Sequence, residues 1–416
     1  MTTVTVAVDP PAAPRPPSRK PILPALIAGA VGFVAVAAPA VIASWTTPPP
    51  SSSPAFPANV ATYSWFVSHG DLGMPATMIY QNGIGVEFMD SPQAVALGVD
   101  GSTYRRLGAA EQRSVPTDQG DPAATVLSAD GTFAVIAGAN GHGSVLVRSL
   151  VDGAGREVSI GVGRSAVPVS IASDGDHVLV LLGDGEMSRY TDPAFSGTLA
   201  MLELSTGDLL EYPLQGVTSA AVTRDATRVA AQTAQGAVVM DAAGHSIREL
   251  PADLAGHAFG DDAWSPDGTR LVTLVHDPVW VEKATGRTLT SSATLQISEP
   301  SAGTTTTFAL TGVEYSAALG WRDDDTVVLQ TYAEDNSSEF RWVDAGTGAA
   351  QTFSTYESGF TAASIGSADL ARDLIGEWVI QDRPADQGWS FGILGGIALG
   401  AAAGLVVWAV TRRRAG

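Results

Sequence analysis

Two hydrophobic patterns divide this chain. Uncharged apolar runs lie near its two ends, at residues 22–44 and 390–411, and each is long enough to cross a bilayer as a helix. Between them, short apolar segments alternate with turns rich in Asp and Gly, which is typical of β-strands joined by tight connections. The spacing of amphipathic helices is absent from this middle part. We therefore predict an all-β domain with one transmembrane helix on each side of it.

A recurring turn organises the middle part. In five places an apolar segment meets a polar turn containing Asp, and a second apolar segment follows. The aligned turn acids recur at intervals of 42 to 57 residues and are Asp130, Asp174, Asp225, Asp267 and Asp324. A second hairpin with a Gly-containing turn follows each of them, beginning at Ser144, Thr198, Ala237, Val279 and Glu339. Each repeat is thus predicted to contain four strands.

Repeats of four strands predict a β-propeller, because one such sheet buries both of its faces only when neighbours stack around a ring. Two weaker units extend the five clear ones, at about 76–116 and from Phe360 onwards. Counting both as blades predicts about seven blades, with six or eight as alternatives. We expect residues 60–67 to pair with the unit that begins near Phe360 and so to close the ring.

The clearest turn reads Ser265-Pro266-Asp267-Gly268. Pro fixes its own φ, Asp bonds the backbone that follows it, and Gly adopts a positive φ. This unit resembles the repeat of TolB-type, WD-repeat-like bacterial propellers, and the resemblance covers roughly residues 120–380. It implies a propeller with a general binding role. Only one of the five turns keeps the full motif, and the extra N-terminal domain of TolB has no counterpart here, so the resemblance implies no particular partner.

Charge orients the predicted helices. Arg15, Arg19 and Lys20 precede the first apolar run, and three arginines follow the second at 412–414. By the positive-inside rule both termini are then cytoplasmic and the middle is extracytoplasmic. Cleavage of the first run as a signal peptide near Ala38-Pro39-Ala40 is the alternative. The net charge of −20 disfavours nucleic acid and favours basic partners.

The remaining segments follow from composition. Residues 1–21 are predicted to be a disordered cytoplasmic tail, 45–58 a Pro- and Ser-rich linker, 59–382 the propeller, 383–389 a second linker and 412–416 a basic tail. In the second predicted helix, four glycines recur every four residues: Gly392, Gly396, Gly400 and Gly404. Small residues at this spacing let another helix approach closely. We expect this helix to pack against a second copy of the chain or against the first helix.

Patterns that would indicate catalysis or metal binding are weak. The chain has no Cys, which excludes disulfides and thiolate chemistry. Gly141-His142-Gly143-Ser144 lacks the full nucleophile elbow, and the six histidines show no metal-ligand spacing. Acidic loops at 174–176, 184–186 and 323–325 have the oxygens that calcium needs but not the twelve-residue calcium loop. Turn chemistry explains these loops better.

These observations favour a non-enzymatic binding or scaffolding module of the cell envelope, without a cofactor, anchored in the cell membrane and recognising a protein or a glycan. The alternative is a propeller enzyme, a hydrolase or lyase, with an acidic site at the central channel. The channel side chains distinguish the two functions. Buried acids or histidines with shifted pKa values favour catalysis, whereas an aromatic or apolar rim favours binding.

Overall fold

The computed structural model describes residues 53–61, 69–83, 92–245, 247–250, 259–283, 286–310, 315–332, 338–356, 365–386 and 405. The chain divides into two compact units, Pro48–Gly388 and the two ends Met1–Thr47 with Trp389–Gly416. Among the described residues, no helix is long and apolar enough to cross a membrane. The predicted spans at 22–44 and 390–411, with the four glycines of the second, lie outside those residues apart from Leu405.

The described part of the propeller unit is almost entirely β-structure. Its first strands are β1 (Ala55–Pro57), β2 (Asn59–Val60), β3 (Ala76–Asn82), β4 (Gln93–Gly98), β5 (Tyr104–Arg106), β6 (Thr125–Leu127), β7 (Phe133–Ile136), β8 (Ser144–Ser149), β9 (Gly155–Ser159), β10 (Arg164–Ile171), β11 (His177–Asp184), β12 (Thr198–Glu203) and β13 (Leu209–Glu211). They are followed by β14 (Val217–Val222), β15 (Arg228–Thr233), β16 (Gly236–Asp241), β17 (Arg248–Glu249), β18 (Leu271–Lys283), β19 (Gly286–Glu299), β20 (Thr304–Leu310), β21 (Tyr315–Asp323), β22 (Thr326–Tyr332), β23 (Ser338–Asp344), β24 (Ala350–Tyr356), β25 (Ile365–Leu370) and β26 (Val379–Gln381). The helices are α1 (Gly108–Gln112) and two 3₁₀ turns, Pro116–Asp118 and Ile375–Glu377.

The strands form six blades. Blade 1 combines β25 with β3, β4 and β5, and blades 2, 3 and 4 are β6–β9, β10–β13 and β14–β17. Blade 5 contains β18–β20, with Trp264 bridged to Leu271 on its inner side. Blade 6 contains β21–β24 and gains β2 as a fifth strand. The prediction of an all-β propeller is confirmed.

The predicted count of seven blades was wrong because the two weak units are one blade. Strand β25, from the unit that begins near Phe360, pairs antiparallel with β3, from the unit at 76–116, through pairs such as Ala368 with Tyr80. A ring closed in this way splits one sheet between the two ends of the domain sequence. Each half was therefore counted as a separate blade.

The predicted closing segment was also misplaced. Asn59 and Val60 pair in parallel with Thr355 and Tyr356 of β24, so this segment extends blade 6 and not the closing blade. Residues 62–67 of the predicted strand lie outside the described part. Strand β1 pairs in parallel with β26, which brings the first and last strands of the propeller unit side by side.

Blade 5 departs from the predicted two hairpins. The hairpin expected to begin at Val279 is the far end of one long hairpin, in which β18 and β19 pair without a break from Leu271 opposite Ser298 to Lys283 opposite Gly286. The outer hairpin is formed instead by β19 and β20, which pair only over Ala293–Glu299. The chain makes no turn between Val275 and Val279, and Pro278 lies within β18.

Blade packing uses apolar runs and two buried tryptophans. In β11, residues 178–182 are all buried, as expected for a strand with both sheet faces covered. Trp264 donates its indole N–H to the carbonyl of Ala221 in blade 4 at 3.2 Å. Trp321 of blade 6 donates in the same way to Ala263 at 3.0 Å. Each tryptophan thus fills the space between two blades and also bonds the preceding blade.

Candidate functional site

The recurring turns share one hydrogen-bond pattern at one end of the propeller, which we call the turn face. In blade 2, Asp130 accepts hydrogen bonds from the Ser128 hydroxyl at 2.8 Å and from the Thr132 backbone at 3.0 Å. Asp225 and Asp267 accept the equivalent bonds from their own turns. Burial alone would raise the pKa of these three carboxyls, but the hydrogen bonds outweigh it and lower the pKa. These acids are structural parts of the turns.

Two turn acids behave differently. Asp174 accepts the backbone N–H groups of Asp176 and His177, and it contacts the His177 ring Nδ1 at 2.6 Å. Asp324 binds outside its own turn: its carboxylate accepts the backbone N–H of Asp267 in blade 5 at 2.9 Å. In blade 6, Asp323 instead accepts the N–H within the turn. The acid that stabilises this turn is therefore Asp323, one residue before the aligned Asp324.

The glycine of the motif is required by the backbone. Gly268 has φ +67°, and its N–H donates to the carbonyl of Ser265 at 2.7 Å. Pro266 and Asp267 are the two central residues of this turn. Gly131 has φ +75° in the equivalent position, where an added Cβ would lie 2.0 Å from the carbonyl oxygen of Ala76. In blade 4 the same position is Ala226, at φ 55°.

We expect Ala226→Gly to stabilise the propeller by about 1 kcal/mol, because it removes the Cβ from a left-handed residue. Gly131→Ala is the opposite change at the matching turn and should destabilise by more, since it adds both the φ penalty and a steric clash with Ala76. Thermal unfolding of the two purified variants measures both effects. Equal melting temperatures for Ala226→Gly and the parent would contradict the assignment of strain.

A buried charged cluster lies where the inner strands converge. Its carboxyls come from Asp261 and Asp262, which precede β18 in blade 5, and from Asp369 of the closing strand β25. Arg372 donates to Asp262 at 2.7 Å, and the two side chains are 4% and 8% exposed. Asp369 bonds Asp261 and accepts the backbone N–H of Leu127 in blade 2. The cluster therefore joins blades 1, 2 and 5.

The pKa values follow from this burial. Desolvation raises the pKa of Asp262 to about 7, although Arg372 acts in the opposite direction. Desolvation, and then the negative charge of Asp261, raise the pKa of Asp369 well above its usual value. Burial also raises the pKa of Asp261. A proton shared between Asp261 and Asp369 accounts for two carboxyls in direct contact.

Arg224 extends this cluster towards the turn face. Its guanidinium lies 3.3 Å from Asp373 and donates to the carbonyl of Arg372 at 3.3 Å. Asp373 also accepts the hydroxyl of Ser173 in blade 3 at 3.0 Å. Blades 3 and 4 are thereby tied to the closing blade. Each carboxylate and arginine of this extension has a partner that positions it.

The opposite end of the propeller, the loop face, has longer connections. The loop at 185–197 in blade 3 reaches the connection at 107–124 between blades 1 and 2. Arg189 is the central contact: it donates to Gln81 at 2.5 Å and to the carbonyl of Pro122 at 2.6 Å, and it lies 3.5 Å from Asp118. Ser188 donates to the same Asp118 at 2.5 Å. This network fixes two long loops against blade 1.

Tyr190 sits on this network with 38% of its surface exposed. Its hydroxyl donates to Asp121 at 2.6 Å, and Asp121 also accepts the side-chain amide of Gln81 at 2.7 Å. Burial of the hydroxyl, together with the bond to Asp121, raises the pKa of Tyr190 to about 12. The ring is therefore held in one position by its polar end while its face remains accessible.

Sequence reasoning did not find these residues. Asp262 and Arg372 are 110 positions apart, and Asp118 and Arg189 are 71 apart, so no local motif links them. The acidic loops considered for calcium bind protein donors: Asp176 accepts the Ser205 backbone at 2.7 Å. No group of three or more His, Asp or Glu side chains is arranged to hold a metal ion in the part of the chain that the structure describes.

Similarity to a solved structure supports the fold. The crystal structure of TolB from Acinetobacter baumannii matches with a TM-score of 0.50 and 13% identity, over 73% of this chain and 67% of that one. A protein described as TolB from Agrobacterium tumefaciens matches at TM-score 0.38 and 14% identity, over 56% and 80% of the two chains. An oligogalacturonate lyase in complex with manganese matches at TM-score 0.44 and 11% identity, over 69% and 77%. No protein-family model matches the chain, and no curated protein sequence matches it.

The fold class is thus a six-bladed β-propeller. Within that class the chain has a TolB-like fold. At 13% identity the likeness extends to the fold alone, because one propeller architecture serves many unrelated functions.

Proposed function

We propose that this protein is a non-enzymatic binding module of the cell envelope, and that its loop face recognises a protein partner. The observation that carries the proposal is Tyr190, an accessible aromatic ring fixed from below by Asp121. Tyr and Arg dominate the residues that carry binding energy in protein interfaces. Arg189 precedes Tyr190 in the same loop, and its guanidinium lies 5.8 Å from the centre of the Phe195 ring.

Pre-organisation supports this assignment. An interface loses less entropy on binding when its side chains are already held in the bound geometry. The loop at 185–197 is held by Arg189 and Ser188 through four hydrogen bonds to Gln81, Pro122 and Asp118. A loop with this many side-chain anchors behaves as part of the scaffold and presents Tyr190 in one orientation.

We further propose that the module is anchored in the cell membrane by helices at 22–44 and 390–411, with the propeller outside the cytoplasm. The apolar runs and their basic flanks support this topology. The parallel pairing of β1 with β26 supports it too, since the chain enters and leaves the propeller unit through adjacent strands. Such neighbouring exits suit two anchors in one membrane.

A hydrolase or lyase remains the second candidate, and the Asp261–Asp369 pair favours it. Two carboxyls that share a proton can act as general acid and base. Against it, Asp369 and Asp262 are only 7% and 8% exposed, and each is bonded to a group that fixes it. A substrate would have to displace Arg372 or the Leu127 N–H to reach them. The cluster is better explained as a set of structural contacts that hold the blades together.

The Tyr190→Ala variant tests the binding proposal. We expect partner capture by the full chain, solubilised from membranes and used as bait, to fall about 30-fold, because truncating a central interface residue costs about 2 kcal/mol. Tyr190→Phe keeps the ring and loses only the bond to Asp121, so it should retain most of the binding. Val151→Ala, an exposed apolar position on the turn face, is the control. Capture by Tyr190→Ala equal to that of Val151→Ala would refute the assignment, whether the partner is a protein or a glycan.

A further inference from the structure

The exposed ring of Tyr190 is fixed to a network in which carboxylates outnumber cations. Its hydroxyl donates to Asp121, and Asp118 joins the same network through Arg189. The two carboxylates are 1% and 2% exposed, and the guanidinium of Arg189 lies 3.7 Å from Asp121 and 3.5 Å from Asp118. Two buried carboxylates below the ring thus face one guanidinium.

The loop that carries Tyr190 adds further acidic groups. Asp184, at the end of β11, is exposed, and so are Glu186 and Asp192 in the loop itself. The segment 184–197 and the segment 116–121, which it contacts, together contain five acids and one arginine. The surface around the ring is therefore strongly acidic.

Two further arginines of the loop face do not offset this charge. Arg113 bonds Glu157 at 2.8 Å, and Arg164 bonds Glu211 at 2.8 Å. Each pair is neutral as a unit, so the excess of acid around the ring remains. A surface of this kind attracts the cationic groups of a partner and repels its acidic ones.

Tyr190 supplies the aromatic surface that a cation needs. Of the large apolar side chains that are exposed in the described part of the chain, it is the one aromatic residue. The face of an aromatic ring is partially negative and attracts a cation placed over it, and in proteins that cation is more often arginine than lysine. A planar guanidinium stacks on such a ring while its N–H groups donate to carboxylates at its edge.

We infer that the loop face receives an arginine side chain of its protein partner, stacked on the ring of Tyr190 and surrounded by the acids of the same loop. The inference rests on the partner recognition proposed above and names its chemistry. The surface of the partner that meets this loop is therefore basic. An acidic protein surface or a neutral glycan lacks the group that this site selects.

Two matched peptides test this inference before the partner is known. The probes are a dye-labelled hexapeptide of alternating glycine and arginine, and the same peptide with citrulline, which has the shape of arginine without its charge. Each is titrated onto the full chain in detergent and followed by fluorescence anisotropy. We expect the arginine probe to bind the parent about tenfold more tightly than the citrulline probe. Tyr190→Leu should weaken the arginine probe about three- to fivefold, whereas Tyr190→Phe keeps the ring and should weaken it less than about twofold.

Neutral variants separate this site from the general negative charge of the chain. Glu186→Gln with Asp192→Asn should weaken the arginine probe about fivefold. Gln at position 186 still offers an acceptor to the backbone N–H of Thr117, which Glu186 accepts at 3.1 Å, so the loop keeps this anchor. Asp208→Asn with Glu377→Gln removes the same charge at exposed positions outside the loop face and should change the affinity less than about twofold.

Equal affinities for the two probes, equal affinities of Tyr190→Leu and the parent, or equal losses in the two double variants would each overturn the inference. Tyr190-dependent binding of cellohexaose, without a preference between the peptides, would assign the ring to a glycan instead. Capture that is lost in Tyr190→Ala while the probes bind equally would refute this inference alone. Probes that differ as expected while capture is unchanged in Tyr190→Ala would support the arginine site and refute the proposed partner recognition.

Discussion

Arg372→Met should be among the most destabilising single changes in this propeller, with an expected loss of about 3 to 5 kcal/mol at pH 8. The substitution removes the guanidinium bonded to Asp262 and leaves a buried carboxylate next to Asp261 and Asp369. Uncompensated buried charge is costly because the low-polarity interior cannot replace water. Thermal unfolding of the full chain in detergent measures the loss.

The pH dependence of unfolding distinguishes buried charge from lost packing as the cause of this destabilisation. Burial raises the pKa of Asp262 to about 7 and that of Asp369 well above its usual value, so the folded state holds protons that the unfolded chain has released. These groups favour folding below pH 4 and lose that contribution as pH rises through 7. The parent should therefore melt at a higher temperature at pH 5 than at pH 8, and Arg372→Met should widen that difference. A variant equally destabilised at both pH values would point to lost packing instead.

Below about pH 4, stability is expected to change with pH in the opposite direction, falling as the pH falls. The pKa values of Asp130, Asp225 and Asp267 are lowered by their turn hydrogen bonds, which outweigh the effect of burial. Their contribution is present above the ordinary Asp pKa and is lost as pH falls through the lowered value. Stability should therefore pass through a maximum near pH 4.

Trp321→Ala is the second large effect, with an expected loss of about 3 to 5 kcal/mol. The side chain is 1% exposed, fills the space between blades 5 and 6, and donates to the carbonyl of Ala263. Arg270 lies 5.5 Å from its ring centre, so the substitution also removes a cation–π contact. Unfolding of the purified chain, followed by the fluorescence of the remaining tryptophans, measures the change.

Two comparisons separate packing from hydrogen bonding at this position. Trp321→Phe retains most of the ring volume and removes the indole donor, while the Ala263 carbonyl still accepts the Val272 N–H at 2.9 Å. It should therefore cost about 0.5 to 1.5 kcal/mol. Trp264→Ala is the equivalent truncation one blade earlier, where the indole binds Ala221 and Arg228 lies 5.1 Å from the ring centre. Similar losses at Trp321 and Trp264 would support the repeated role, and a loss below 1 kcal/mol at either would contradict it.

Local chemistry determined much of the fold. The turns at Asp130, Asp225 and Asp267 each close through bonds within a few residues, so their sequence predicts the hairpin without reference to the rest of the chain. Alternating apolar and polar segments on each side predict the strands. The four-stranded repeat then predicts a ring, because such sheets need neighbours on both faces.

Long-range pairing decided what the sequence left open. The blade count depended on β25 meeting β3, whose residues are almost 300 positions apart, and the extended hairpin of blade 5 depended on continuous pairing between β18 and β19. Neither contact has a local signal. The candidate sites have the same origin, since Arg372 reaches Asp262 and Arg189 reaches Asp118 only after the ring closes. Turn bonds form between neighbours in sequence and are readable there, whereas the buried cluster and the loop face combine residues that only the closed propeller brings together.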